Sequence, residues 1–228
     1  MTDLNVPINR YGGVQIWDRL HYIVINVKKL GGLIPRLKGI GFTFSAFGHV
    51  HIYPKEFRVI FFDRKGIELG IFEAGKIIQN NKVIAENYRL KFKSFSKYRM
   101  WNNCDAMYFF GAALTTYSSV PFILPQYKVS EEVLEDGICI NAEFPPNFHT
   151  HGKYQRFYYG SDGLLKRHDY HAEIISFIAR GAHYTSDFKE IKNFPIPTKR
   201  KVFARIGRLV LPIPVLNATL EPIDVVFK

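Results

Sequence analysis

Short β-rich runs separated by only a few residues make up most of the chain after Gly39. Parallel neighbours in a sheet need a crossover of about a dozen residues or more, so runs this close together are expected to pair antiparallel. The runs read GFTFSAF, HVHIY, EFRVIFF, IELGIF, KVIAENYRLKF, ICINAEF, YQRFYY, LLKRHDYH, AHYTSDF, TKRKVFAR and TLEPIDVVFK. They predict an antiparallel sheet of roughly ten strands.

Two segments show helical periodicity instead. Apolar residues recur every three to four positions from Val14 to Leu30, and a Gly-Gly pair then supplies a stop. A second helix is predicted over Asp105–Tyr117. Its apolar face would carry Met107, Phe110, Leu114 and Tyr117. Because 15% of the residues are aromatic and need burial, the sheet should curve, with a helix completing the core on its concave side. We therefore expect a β-rich α+β fold in one domain spanning residues 1–228.

The charge balance of +11 suggests attraction to anionic partners. However, Lys199, Arg200 and Lys201 alternate across the two faces of a predicted strand and form no single basic stripe. No zinc-finger spacing, helix-turn-helix or RNA-binding aromatic motif accompanies them. The pattern favours a solvated basic surface over nucleic-acid binding and leaves room only for weak contact with an anionic membrane surface.

The cellular context is expected to be cytoplasmic. The N-terminus lacks the basic-then-apolar layout of a secretory signal. Residues 106–127 carry no charge, but TTYSS and Pro121 make this stretch a poor membrane span, so a buried helix followed by a loop is expected. Cys104 and Cys139 are far apart in sequence and are expected to be free thiols.

The segment FHTHGKYQRFYYGSDGLLKRHDYH holds four of the eight histidines and a turn signal, GSDG, at 160–163. With these four residues as the turn, Gln155 lies opposite His168. The face predicted to point inward carries Gln155, Phe157, Tyr159, Leu164, His168 and Tyr170, with Lys166 as an exception. The face predicted to meet solvent carries Tyr154, Arg156, Tyr158, Leu165, Arg167 and Asp169.

Metal binding by the histidines is not expected. His168 and His171 are an odd number of residues apart, so on a strand they point to opposite faces. His49 and His51 share a strand face, and His149 and His151 lie in a loop, so either pair could chelate an ion. A catalytic zinc needs about three protein ligands, and the sequence supplies no third one to either pair.

His168 and Gln155 are open to two interpretations. They can satisfy each other as a buried polar pair with no further role. Alternatively, His168 with Tyr170 could supply acid–base chemistry inside an aromatic pocket. The sequence contains no phosphate-binding loop, dinucleotide fingerprint, nucleophile elbow or HExxH motif, and no cofactor is expected.

The runs FYYGSDGLLKRHDYH, AHYTSDF and PIPTKRKVFAR, with GGLIPRLKG and WNNCDAMYFFGAALTTY before them, resemble in order and kind a family of bacterial proteins of uncharacterised function. The resemblance covers most of the chain, and its motifs are those of a fold. It implies an unclosed β-half-barrel of the kind seen in bacterial lipoprotein carriers, which hold acyl chains in a concave sheet. Those carriers are secreted, whereas this chain is expected to be cytoplasmic. The resemblance therefore implies binding of an apolar ligand in a concave sheet and does not extend to lipoprotein transport.

Two functions follow from this resemblance and from the aromatic excess. The first is a binding protein for an apolar or lipid-like small molecule held between the sheet and the second helix. Its contact residues would be Gln155, Phe157, Tyr159, His168, Tyr170, Phe110 and Leu114. The alternative is an isomerase, cyclase or lyase acting on a hydrophobic substrate in the same pocket, with His168 and Tyr170 as catalytic residues. The sequence identifies neither the ligand nor the oligomeric state.

Overall fold

A computed structural model describes residues 4–40, 47–92 and 98–228, and within these ranges thirteen antiparallel strands form one sheet. The strands run β1 Leu20–Gly31, β2 Phe47–Tyr53, β3 Arg58–Asp63, β4 Glu68–Glu73, β5 Lys76–Gln79, β6 Lys82–Ala85, β7 Lys128–Leu134, β8 Gly137–Glu143, β9 Tyr154–Tyr159, β10 Leu165–His171, β11 Arg180–Ile191, β12 Phe194–Ile206 and β13 Leu209–Phe227. The α-helices are α1 Asn5–Arg10, α2 Gly13–Arg19, α3 Leu33–Leu37 and α4 Asn103–Ser119.

The sheet consists of two meanders joined in the middle. Strands β1 to β6 follow one another outward, as do β13 to β7, and the first and last strands pair at the centre. The ends of the order are β6 and β7, so the sheet is open, and α4 lies in the chain between these two edge strands. The prediction of a large open antiparallel sheet is confirmed, with thirteen strands in place of roughly ten.

The helix predicted from Val14 to Leu30 is wrong for most of its length. Only Gly13–Arg19 is helical, and the chain then becomes the central strand β1. The sequence IVINV from residue 23 is rich in β-branched side chains, which pack well on a pleated sheet and lose rotamer freedom in a helix. Ile23 and Ile25 are buried two positions apart, so this strand's own period of two explains the apolar spacing.

The second predicted helix is confirmed as α4, extended by two residues at each end. Thirteen of its seventeen residues are buried, so the helix is enclosed on most sides rather than on one apolar face. It packs on β2 to β5, where Phe72 meets Tyr108 edge to ring. It also reaches the other meander, where Tyr117 contacts the His183 ring. The sheet therefore curves around α4, and no helix in the described ranges is both long and apolar enough to cross a membrane.

Other strand predictions need smaller corrections. Residues 41–46 of the predicted strand GFTFSAF lie outside the described residues. The run KVIAENYRLKF is a strand only over Lys82–Ala85 and ends in a 3-10 helix at Tyr88–Phe92. Strands β5 and β7 were not predicted, and β13 begins ten residues before the predicted run.

The register predicted for the β9–β10 hairpin is wrong because of a β-bulge. An irregularity between Leu165 and Arg167 shifts the pairing, so His168 lies opposite Phe157 and not opposite Gln155. The bulge also reverses the predicted sides of two adjacent residues. Leu165, predicted to face solvent, is buried, and Lys166, predicted to face inward, is exposed. Asp169, predicted to face solvent, is buried as well, because it pairs with Arg167. The predicted inward face is otherwise confirmed: all six of its residues apart from Lys166 are buried.

Candidate functional site

A row of side chains crosses five neighbouring strands on the concave face. The pairing joins Phe157 of β9 to His168 of β10, and His168 to His183 of β11. It continues from His183 to Val202 of β12 and from there to Leu216 of β13. Residues far apart in sequence therefore meet beside α4, in a row that changes from aromatic through two histidines to aliphatic.

His168 is completely enclosed and held in one orientation. Its ring stacks on Phe157, with 4.5 Å between centroids and 5° between planes, and Nε2 lies 2.7 Å from Gln155 Oε1. The Nδ1 atom has no partner among the described residues. Burial lowers the pKa of His168 well below its usual value, with the neighbouring His151 and Arg200 adding to the effect. His168 is therefore a neutral imidazole.

His151 and His183 are also buried, and neither ring nitrogen of either residue has a hydrogen-bond partner in the described ranges. His151 stacks on Tyr170 at 4.6 Å, and His183 lies edge-on to Tyr117 at 4.8 Å. Burial lowers the pKa of His151 to about 3 and that of His183 well below its usual value. A buried polar atom without a partner is costly, and both rings keep hydrogen-bonding capacity that the described part of the protein does not use.

Arg200 projects from β12 into the same space. Its guanidinium lies 4.8 Å from the centre of the Tyr117 ring, and Nε and Nη1 are buried without a hydrogen-bond partner among the described residues. Burial lowers the pKa of Arg200, but an arginine stays protonated at neutral pH. Thus a positive charge stands on the concave face with an aromatic ring beside it.

Two adjoining cavities lie between α4 and the sheet. The outer cavity has a volume of 290 Å³ and is lined mainly by aliphatic side chains from α3, the β10–β11 connection and strands β11 to β13. The inner cavity has a volume of 60 Å³ and is lined by α4 residues together with His151, His183 and Arg200. The two cavities share the lining residues Phe109, Tyr170, Val202 and Leu216. The two adjoining cavities, called the cavity path, place an aliphatic outer end next to an inner end lined by the buried polar side chains.

The predicted contact residues separate into two groups. Phe110, Leu114 and Tyr170 line the inner cavity. Gln155 and Phe157 instead contact His168, and Tyr159 is buried with its hydroxyl unpartnered in the described structure. His168 touches the cavity residues Tyr117 and Tyr170 with its ring. Contact between a ligand and any of the seven predicted residues remains a prediction.

Sequence reasoning missed His183 and Arg200 as parts of this site. Both lie on strands that were predicted, but their position depends on which strands are neighbours, and the sequence alone did not give that order. The alternation of side chains along β12 could nevertheless have indicated the position of Arg200. Ile196, Arg200 and Val202 are all even-numbered on one strand, so Arg200 shares the face of two apolar residues, whereas Lys199 and Lys201 face outward.

The remaining histidines are dispersed. His149 Nδ1 lies 3.1 Å from the Tyr108 hydroxyl, whereas its loop partner His151 lines the inner cavity. His49 and His51 lie side by side at 5.3 Å and both contact the Phe62 ring. In the part of the chain that the structure describes, no three His, Cys, Asp or Glu side chains are grouped as a metal site requires. Metal-free histidines remain a prediction.

A larger depression of 510 Å³ lies on the opposite face of β8 to β10. Several charged side chains at this depression are paired: Asp169 binds Arg167 at 2.6 Å, and Glu143 binds Lys153 at 2.8 Å. Arg205 approaches the same Asp169 at 3.5 Å. These ion pairs compensate part of the charge in this depression.

Comparison with known proteins finds similarity of fold. The sequence matches no protein-family model and no curated protein. A solved structure of a DUF1329 family protein from Desulfovibrio piger superposes with a TM-score of 0.42 at 11% identity, covering 99% of this chain and 91% of that one. The crystal structure of a LolA superfamily protein from Nitrosomonas europaea superposes with a TM-score of 0.50 at 7% identity, covering 100% of this chain and 94% of that chain. The chain therefore shares the open half-barrel fold of a LolA superfamily protein, as the sequence resemblance implied.

Proposed function

We propose that this protein binds an apolar or lipid-like small molecule between the concave sheet and α4. The observation that carries the proposal is the pair of adjoining cavities with mostly apolar lining on the concave side of the sheet. Small-molecule sites are mostly apolar clefts of about 300–1,000 Å³ with a few polar groups that fix orientation. The outer cavity, at 290 Å³, lies just below that range, and His151, His183 and Arg200 line the inner one.

The cavity mouth supports the same proposal. Ile178 and Ile206 both line the outer cavity, yet they are 68% and 67% exposed. Ile178 lies in the β10–β11 connection and Ile206 at the end of β12. Exposed aliphatic residues grouped around an opening are typical of a site that an apolar ligand covers. We propose that Tyr170, Phe110 and Leu114 contact that ligand further inside.

Binding of a neutral fluorescent probe, N-phenyl-1-naphthylamine, tests the proposal. Ala204 lines the outer cavity, so Ala204→Trp fills it and should weaken probe binding by about tenfold or more. The matched control is Lys201→Trp, which places the same ring on the outward face of the same strand and should leave binding unchanged. Native mass spectrometry of freshly purified protein should also detect a retained small molecule. Equal probe binding by Ala204→Trp and the unaltered protein would contradict the proposal.

A further inference from the structure

We propose that the ligand of this cavity is an amphiphile with a carboxylate head, which binds at Arg200, His183 and His151 while its acyl chain occupies the outer cavity. This inference rests on the proposed function and adds the chemical class of the ligand. It follows from a contrast between the two ends of the cavity path: the outer end is aliphatic, and the inner end carries hydrogen-bond donors that the described protein does not satisfy.

The donors define the head group. Arg200 offers Nε–H and Nη1–H, and each neutral histidine offers one N–H. No carboxylate of the described residues forms an ion pair with Arg200, and its guanidinium lies 4.8 Å from the centre of the neutral Tyr117 ring. A cation held on an apolar face without a counter-ion is destabilising, so an anion that reaches it gains both charge pairing and hydrogen bonds.

The ion pairs of other arginines support the inference that the ligand supplies a carboxylate to Arg200. On the opposite face of the sheet, Arg167 binds the buried Asp169, and Arg156 binds Glu132. These two arginines therefore receive a carboxylate from the chain itself. Arg200 is left without one where the cavity path ends, which is the arrangement expected of a site that receives its carboxylate from a ligand.

Geometry favours a carboxylate over a bulky head. The inner cavity is small, at 60 Å³, and Tyr117 closes one side of it against both His183 and Arg200. A carboxylate is a compact, flat head group that can accept charge-assisted hydrogen bonds from one Arg200 N–H and from a histidine N–H in a narrow space. The acyl chain then extends past Tyr170 and Val202, which line both cavities, toward the exposed mouth.

Calorimetric titration at pH 8 with sodium decanoate and with 1-decanol, which has the same chain length and no charge, tests the inference. The unaltered protein should bind decanoate tighter than decanol by about tenfold or more. Arg200→Met keeps a long apolar side chain and should remove this preference through a loss of decanoate binding. Lys201→Met is the control, because it removes an equal charge from the outward face of the same strand and should keep the preference.

The outcomes separate the two proposals. Equal binding of decanoate and decanol by the unaltered protein would overturn the carboxylate assignment and leave the apolar ligand site intact. Binding of neither compound, nor of the neutral probe, would overturn the proposed function itself. A preference that persists in Arg200→Met would also overturn the assignment. Because Arg200→Met removes an unpaired cation, the ligand-free variant should melt at or above the temperature of the unaltered protein, which shows that it is folded.

Discussion

The imidazole of His168 and the side-chain amide of Gln155 form a buried hydrogen bond of 2.7 Å. The amide orientation is determined by its other end, where Gln155 Nε2 donates to Thr150 Oγ1 and to the Gly152 carbonyl. Gln155 Oε1 must therefore accept, and His168 Nε2 must carry the proton. The Gln155 amide binds both Thr150 and His168. It therefore connects the loop before β9 with strand β10.

Truncation of His168 should lower stability. His168→Ala leaves the Gln155 oxygen unpaired and opens a cavity beside Phe157, so a loss of about 2–4 kcal/mol in the free energy of unfolding is expected. His168→Phe preserves the ring volume and should cost less. Urea denaturation of these variants, of Gln155→Ala and of the double variant measures the effect, and the double variant should lose less than the sum of the single changes. A His168→Ala variant as stable as the unaltered protein would contradict this role.

Stability should fall as the pH falls below about 6.5, the ordinary pKa of an unfolded histidine. Burial lowers the folded-state pKa values of His151, His168 and His183, and for His151 the value is about 3. In this window the unfolded chain binds protons that the folded chain does not, so acid favours unfolding. Each such histidine contributes a slope of about 1.4 kcal/mol per pH unit once the pH is well below 6.5.

Urea denaturation between pH 5 and 8 measures this slope. His183→Phe removes one of these three fully buried histidines and should reduce the slope by about one third of their combined contribution. Above pH 7 the histidines of the unfolded chain are neutral as well. In that range His183→Phe and the unaltered protein should therefore differ least in how the free energy of unfolding changes with pH. A free energy of unfolding that does not change between pH 7 and 5 would contradict the burial of neutral histidines.

The sequence predicted this site in part. Alternation along β9 and β10 placed Gln155, Phe157, His168 and Tyr170 inside, because a strand has a fixed period of two. The pairing of His168 with Gln155 was anticipated from the wrong register, and the hydrogen bond forms because a glutamine side chain reaches diagonally across the bulged hairpin. A bulge depends on local backbone geometry that single residues do not specify.

The partners on β11 and β12 could not be predicted in the same way. His183 reaches His168 because β10 and β11 pair, and Arg200 reaches His183 through Tyr117 of α4. These contacts need the strand order and the helix position at once. The error over Val14–Leu30 has a related cause, since a short apolar run fits both a helix and a central strand until its neighbours are known.

The beginning of α4 should contribute measurably to stability through a reciprocal cap. The Asn102 side chain accepts from the Asp105 amide at 3.0 Å, and the Asp105 carboxylate accepts from the Asn102 amide at 2.9 Å. Asp105 is buried and also accepts from Arg99 and from the Tyr88 hydroxyl. Asn102→Ala should cost about 1 kcal/mol, and Asp105→Ala about 2–3 kcal/mol because it loses these additional bonds.

Thermal and urea denaturation of the cap variants check these values. Asn103→Ala is the control, because Asn103 is exposed and should change the free energy of unfolding by less than about 0.5 kcal/mol. If Asn102→Ala and Asn103→Ala prove equally stable, the cap makes no net contribution.

Gly111 allows α4 to approach the sheet, and its replacement by alanine should destabilise the protein. A Cβ atom at this position would lie 2.5 Å from Phe72 Cβ and 2.7 Å from its Cδ1. Helix propensity alone favours alanine over glycine by about 1 kcal/mol, so the two effects have opposite signs. Phe72 is fully buried on β4 and cannot move away without disturbing the core, so we expect a net loss of about 1–3 kcal/mol.

Combining Gly111→Ala with Phe72→Leu should recover part of this loss, because the smaller side chain relieves the clash. Urea denaturation of both single variants and the double variant gives the coupling, and a Gly111→Ala protein more stable than the unaltered one would show that the helix lies farther from β4 than this contact requires.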